Sequence, residues 1–139
     1  MSARVTIADY MATDLLILKP EMEINNALAH LLEKNYSGAP VVDGAEKLVG
    51  VLSKKDCLKA ALNASYYQQW GGTVGDYMSS EVETLDADMD LVQAAELFLK
   101  SHYRRFPVLR DGRLVGQISR ADLLRAMVKE WDFPKPVPA

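Results

Sequence analysis

Two heptapeptides carry the residue types and spacing that can hold a small polar ligand. They are Gly50-Val-Leu-Ser53-Lys-Lys-Asp56 and Gly116-Gln-Ile-Ser119-Arg-Ala-Asp122, both of the form G-x-x-S-x-x-D. Each joins a strand-like stretch to a helix-like one. A serine at a helix N-cap with an acid three residues on is a variant of the capping box, and such a cap contributes about 1 kcal/mol. The same geometry suits a sugar phosphate. A helix start presents free N–H groups and a positive dipole end to an anion. The serine hydroxyl adds a hydrogen bond, and a carboxylate one turn in can accept from both hydroxyls of a ribose. Charge-assisted bonds of this kind are worth roughly 1.5–3 kcal/mol each once desolvated.

The other chemistry-bearing side chains are sparse. His30 and His102 have no metal-ligand spacing around them and read as structural. Cys57 has Lys54 and Lys55 nearby, which would lower its pKa, but the matching position in the second heptapeptide's helix is Leu123, so a packing role is expected. The stretch GGTVG lacks the strand-before, helix-after context of a dinucleotide loop and reads as a turn. Without a triad, a metal cluster or a carboxylate dyad, the chain is expected not to be an enzyme.

The elements that must position these residues come from a chain of 139 residues, 49% hydrophobic and 25% charged, with a formal charge of −3. That composition is globular rather than disordered, and long enough for a real core. The acid balance argues against nucleic acid, although Arg104, Arg105, Arg110 and Arg113 make a modest basic patch. No apolar run approaches the roughly 20 residues that span a bilayer, and the N-terminal stretch is not a secretory signal. A lone cysteine excludes an intramolecular disulfide. A cytoplasmic protein without membrane or nucleic-acid partners is the expectation.

An internal repeat organises the chain. Residues 7–42 lie over 74–109 at a shift of 67, and residues 48–60 lie over 114–126 at a shift of 66. Paired identities include Asp9/Asp76, Tyr10/Tyr77, Met11/Met78, Leu18/Leu85, Pro40/Pro107, Gly50/Gly116, Ser53/Ser119 and Asp56/Asp122. Each copy reads as β-α-β-β-α, an α/β unit. LLIL and VETL are the first strands, and apolar residues at Ala27, Leu28, Leu31, Leu32 and their counterparts mark a helix. A hairpin turning at Gly44 or Asp111-Gly112 follows, and then the second helix. The repeat predicts two like units packed about a pseudo-twofold axis, with 131–139 a frayed tail. Residues 62–73 connect the copies, with Tyr66, Tyr67 and Trp70 packing over the seam.

The duplicated DYM, Y-x-x-x-P-V and L-V-G-x-[LI]-S-x-x-D-x-L motifs make the chain resemble a stand-alone tandem pair of CBS (cystathionine β-synthase) domains, a Bateman module. The resemblance covers residues 4–62 and 73–130, nearly the whole chain, and implies one CBS domain in each stretch. It implies two clefts between the repeats for an adenosine-type ligand: AMP, ADP, ATP or S-adenosylmethionine. By it, Asp56 and Asp122 hold ribose hydroxyls, while Ser53 and Ser119 face phosphate or ribose. The stronger cleft would combine Arg104, Arg105, Phe106, Pro107, Ser119, Arg120 and Asp122 with Leu15, Leu16 and Ile17. The weaker would combine Gly38, Ala39, Pro40, Ser53, Lys54 and Asp56 with Val82, Glu83 and Thr84. Arg105 stands where family members often place a basic residue that reaches phosphate, and Gly38 replaces it in the first copy. The implied role is a regulatory sensor of adenine nucleotides, forming a homodimer and acting on an unidentified protein partner. A structural dimerisation module without a nucleotide is the alternative. Leu123, Leu124, Met127 and Trp131 are candidates for core or interface.

Overall fold

The computed structural model describes residues 4–132, 134 and 136–139. It is a mixed α/β protein in which one order of elements occurs twice. The first half holds α1 (Ile24–Lys34), β1 (Gly38–Val42), β2 (Leu48–Ser53) and α2 (Lys54–Tyr67). A single helical turn, α3 (Val74–Tyr77), leads into the second half, with β3 (Leu85–Asp86), α4 (Leu91–Lys100), β4 (Arg105–Arg110), β5 (Arg113–Ser119) and α5 (Arg120–Glu130). The counterpart of α3 is a 3-10 turn at Ile7–Asp9.

Helix periodicity decides what is buried. α1 turns Ile24, Ala27 and Leu31 inward, and α4 does the same with Leu91, Ala94 and Phe98. In one core these meet Leu18, Val41, Leu52 and Cys57; in the other, Leu85, Phe106, Val108 and Ile118. Phe98 and Phe106 pack edge to face with their ring centres 4.8 Å apart. β1 and β2 pair antiparallel, with an irregularity between Val41 and Val42. β4 and β5 are joined through Asp111 and Gly112, whose φ of 52° and 78° give the two positive values a tight hairpin turn requires.

The expected first strands are shorter than LLIL and VETL suggest. Only Leu18 bridges β1, at Val41, and only Leu85 and Asp86 pair with β4, both in parallel. The residues ahead of them are bonded elsewhere: Ala12 pairs antiparallel with Gln117, and Ser79 with Val51. The second correction concerns 62–73. α2 runs on to Tyr67 before Gln68 takes a left-handed conformation, so the connector is only residues 68–73. Tyr66, Tyr67 and Trp70, expected to pack over a seam, are exposed. Of the expected tail, Pro134 and 136–139 carry no regular structure, while 133 and 135 lie outside the described residues.

The compact units do not follow the repeats. One comprises Met1–Asp14, Thr84–Asp111 and Val115–Ala139, the other Leu15–Glu83 with Gly112–Leu114. The opening turn of each copy therefore packs against the other copy's hairpin and helices. In one unit Ile7 N donates to Met89 O and Ala8 N to Ala87 O, at 2.9 and 3.3 Å. In the other Val74 N donates to Met22 O and Gly75 N to Pro20 O, both at 2.8 Å. Side chains extend the strap. Arg4 pairs with Asp90 at 2.6 Å, and the Tyr10 phenol donates to Glu130, whose carboxylate pushes the Tyr10 pKa up to about 12. Tyr77 accepts from Asn63 Nδ2 at 3.0 Å.

The strap needs glycine beneath it. A Cβ on Gly116 would lie 2.5 Å from Met11 Sδ and 2.7 Å from the Ala12 carbonyl oxygen; on Gly50 it would lie 2.6 Å from Met78 Sδ and 2.8 Å from Ser79 O. The thioether can move, but a bonded backbone carbonyl cannot without breaking its bridge. Gly116→Ala is therefore expected to destabilise the protein by about 1–3 kcal/mol. Gly44→Ala, with nothing within 4 Å of its added carbon, should change stability by less than about 0.5 kcal/mol. Urea unfolding of the two variants checks this; equal midpoints would refute the close-approach account.

Candidate functional site

Both G-x-x-S-x-x-D segments fold as strand-to-helix junctions, and both carry a complete capping box. Ser53, with φ −104°, accepts at Oγ from Asp56 N, and Ser119, with φ −102°, accepts from Asp122 N, each at 3.1 Å. In return Asp56 Oδ2 accepts from Ser53 N at 2.9 Å, and Asp122 Oδ2 from Ser119 N at 3.0 Å. The first N–H of each helix is used as well. Lys54 N donates to Ser37 O at 2.9 Å, and Arg120 N to Arg104 O at 3.0 Å. Helix geometry leaves the second N–H of each helix, that of Lys55 or Ala121, without an intrahelical acceptor. What each junction offers a ligand is that N–H, the positive end of the helix dipole, and the outer oxygen of the aspartate.

The outer oxygens differ between halves. Asp122 Oδ1 accepts from Arg125 at 2.7 Å, one turn further along α5. Arg125 is the residue that sequence reasoning missed. Its position three residues after an acid on a helix was the available signal. The matching residue in α2 is Lys59, and no ion pair joins it to Asp56 among the described residues.

One unit brings together Arg104, Arg105, Phe106, Pro107, Ser119, Arg120 and Asp122. The other brings together Gly38, Ala39, Pro40, Ser53, Lys54, Asp56, Val82 and Glu83. Leu15, Leu16 and Ile17 belong to the unit of Ser53, and Thr84 to that of Ser119. Phe106 and Ala39 are each only 1% exposed, so their side chains are core and only their backbone remains for contacts. Arg104 and Arg120 are exposed. Arg105 is half-buried, and its Nε is a buried polar atom with no hydrogen-bond partner. A buried guanidinium N–H without an acceptor is costly, and an arriving anion would supply one.

The remaining candidates have structural roles. Cys57 is buried in the core, and burial, followed by the charge of Asp56, pushes its thiol pKa up, the reverse of what Lys54 and Lys55 alone would do. His30 is half-buried on α1, and His102 is exposed. Among the described residues no group of three or more His, Cys, Asp or Glu side chains could hold a metal ion. No described helix is long and apolar enough to cross a membrane.

Duplicated capped junctions, each behind a hairpin and ahead of an amphipathic helix, define a tandem α/β module. The model of the CBS domain matches residues 7–63 and again 74–129, and the chain belongs to the CBS domain family. The chain is similar to CBSX2, a chloroplastic CBS domain-containing protein of Arabidopsis thaliana. The identity is 29% over 152 residues, covering 89% of this chain and 64% of CBSX2. The crystal structure of CBSX2 covers 95% of this chain and 100% of its own, at 31% identity and a TM-score of 0.80. A crystal structure of CBSX2 in complex with AMP, 33% identical, covers 91% of this chain and 98% of that one, at a TM-score of 0.78. An A-adding tRNA nucleotidyltransferase of Aquifex aeolicus is 32% identical over 93% of this chain, which spans only 15% of that enzyme.

The cap itself can be measured. Ser119→Ala removes the acceptor of the Asp122 N–H and is expected to cost about 1 kcal/mol. For a chain of this size that lowers the melting temperature by roughly 3–5 °C. An unchanged melting curve would show that Ser119 Oγ does not cap α5.

Proposed function

We propose that this chain is a regulatory CBS pair that binds an adenine nucleotide or related adenosyl ligand at its capped strand-to-helix junctions, the second half providing the stronger site for phosphate. The carrying observation is the buried, unpartnered Nε of Arg105 in the same unit as the Ser119–Asp122 junction. There the ligand's phosphate finds Arg105 and the helix start, and the ribose finds the outer side of the Asp122 carboxylate. The AMP complex of the similar CBSX2 supports this choice of ligand. The serine and aspartate of each junction are engaged in its cap, and a sensor rather than an enzyme is the role we assign. The ligand acts through its different affinities for two states of the protein or of a protein partner. A cytoplasmic setting suits a reduced, unpaired Cys57.

Self-association belongs to the same proposal. Leu32, Leu58 and Leu62 are exposed, and so are their repeat counterparts Leu99, Leu124 and Val128. Apolar exposure at one repeated set of helix positions is not the scatter of an ordinary surface. In the second half it borders a largely apolar pocket of about 430 Å³, lined by residues that include Phe98, Leu99, Leu124 and Met127, with Ser101 and Arg120 as its polar members. A second copy of this chain, carrying the same repeated face, is the occupant we assign.

Two measurements test these readings. In calorimetric titrations Arg105→Ala should weaken AMP by about tenfold or more and adenosine by less than about threefold, since the lost bond is charge-assisted. Equal losses would refute a phosphate role. No binding of either ligand to the wild type at millimolar concentration would favour the purely structural module. In sedimentation experiments the wild type should be a dimer, and Leu99→Asp combined with Leu124→Asp a folded monomer. A monomeric wild type at about 100 µM would overturn the dimer.

A further inference from the structure

The two junctions share a backbone but not a charge. Around Asp122 the same unit holds Arg104, Arg105, Arg120 and Arg125; the repeat counterparts of these four are Ser37, Gly38, Lys54 and Lys59. Of the four arginines, Arg125 is ion-paired to the carboxylate, through Oδ1, while Oδ2 is occupied by the cap. Its side chain is 70% exposed, against 20% for that of Asp122. An exposed pair of this kind adds little to stability, at most about 1 kcal/mol. Stability therefore does not account for an arginine here.

Its consequence for a ligand is larger. A carboxylate oxygen accepts more than one hydrogen bond, so Oδ1 can still take a ribose hydroxyl beside the guanidinium. What Arg125 removes is the net negative charge at the ribose end of the site. We propose that Arg125 is a specificity-determining residue: paired with Asp122, it makes the second-half junction select an anionic adenylate over an adenosyl ligand that carries a positive charge. Without it, Asp122 would be an unneutralised anion beside the sugar and would attract a cationic ligand such as a sulfonium. Arg105, with its unpartnered Nε, lies in the same unit and adds to the preference for anions. The inference rests on the nucleotide reading above and extends it to the charge of the ligand.

The test uses the full chain carrying Asp56→Ala, so that titration reads the second-half junction. AMP and S-adenosylmethionine are titrated at low ionic strength into this protein and into the same protein with Arg125→Ala or Arg125→Lys. The ratio of the S-adenosylmethionine Kd to the AMP Kd is expected to fall about fivefold in Arg125→Ala, the order of effect of one partly screened charge. Arg125→Lys should keep at least half of the ratio, because it keeps the charge. A ratio unchanged in Arg125→Ala, whether both ligands weaken alike or neither does, overturns the inference while leaving the nucleotide reading intact. Binding of neither ligand to the wild type overturns that reading itself. Binding to the wild type that vanishes with Asp56→Ala alone places the ligand in the first half and also overturns the inference.

Discussion

Each strand-to-helix junction depends on a reciprocal pair of bonds, serine hydroxyl to aspartate N–H and aspartate carboxylate to serine N–H, at 2.9–3.1 Å in both halves. Capping and ligand binding are often set against each other as explanations of such a motif. In the function proposed above they divide the same groups between them. The cap, together with the bond to the residue before the hairpin, consumes one oxygen of the aspartate and three of the four free N–H groups of the helix start. What remains is one oxygen and one N–H, held in place before any ligand arrives. Preorganisation of this kind lowers the ordering cost of binding. In the proposed site the cap would orient the ligand-binding groups as well as stabilising the helix.

The duplication made much of this legible in the sequence. A motif present twice at one offset in chain order tells which residues share a role, and Ser53/Ser119, Asp56/Asp122 and Gly50/Gly116 all occupy matching places in the structure. Helix faces were legible because the spacing of Ile24, Ala27 and Leu31 leaves one face to bury. The first strands were misjudged in length for a physical reason. Apolar residues in a short stretch report burial rather than pairing, and Leu16 and Val82 are partly buried without belonging to a ladder. The extra turns of α2 were hidden by Tyr66 and Tyr67, aromatic residues that read as packing and instead lie on an exposed helical end.

The exchange of opening turns was not legible at all. Ile7, Tyr10 and Met11 have the same apolar character as Val74, Tyr77 and Met78, and nothing in either stretch names the hairpin it will cover. Gly50 and Gly116 signal that something crosses each hairpin closely, yet the two glycines are alike and do not say which strap crosses which. The partners that separate them are single polar contacts. Tyr10 meets Glu130 on α5, where Tyr77 meets Asn63 on α2. Such contacts distribute stability unevenly over otherwise equivalent elements, and they are invisible to periodicity.

Divergence between the halves reaches buried positions, as in Ala39/Phe106 and Cys57/Leu123, as well as exposed ones. Arg104 and Arg125 differ from Ser37 and Lys59 at exposed positions with no packing duty, where substitution costs little. Position 38 is different. A Cβ there would lie 2.9 Å from the Leu52 carbonyl oxygen and 3.3 Å from Ser53 Cα, so β1 cannot carry a side chain at that point without moving against the backbone of β2. Its counterpart Arg105 begins β4 with a full side chain. The missing arginine of the first half is therefore not a lost charge on a common scaffold. An arginine at position 38 would need β1 to move away from the backbone of β2. A first-half junction built this way keeps the carboxylate of Asp56 and its cap while lacking any counterpart of the Arg105 side chain, so under the function proposed above the two halves differ in what they offer a phosphate.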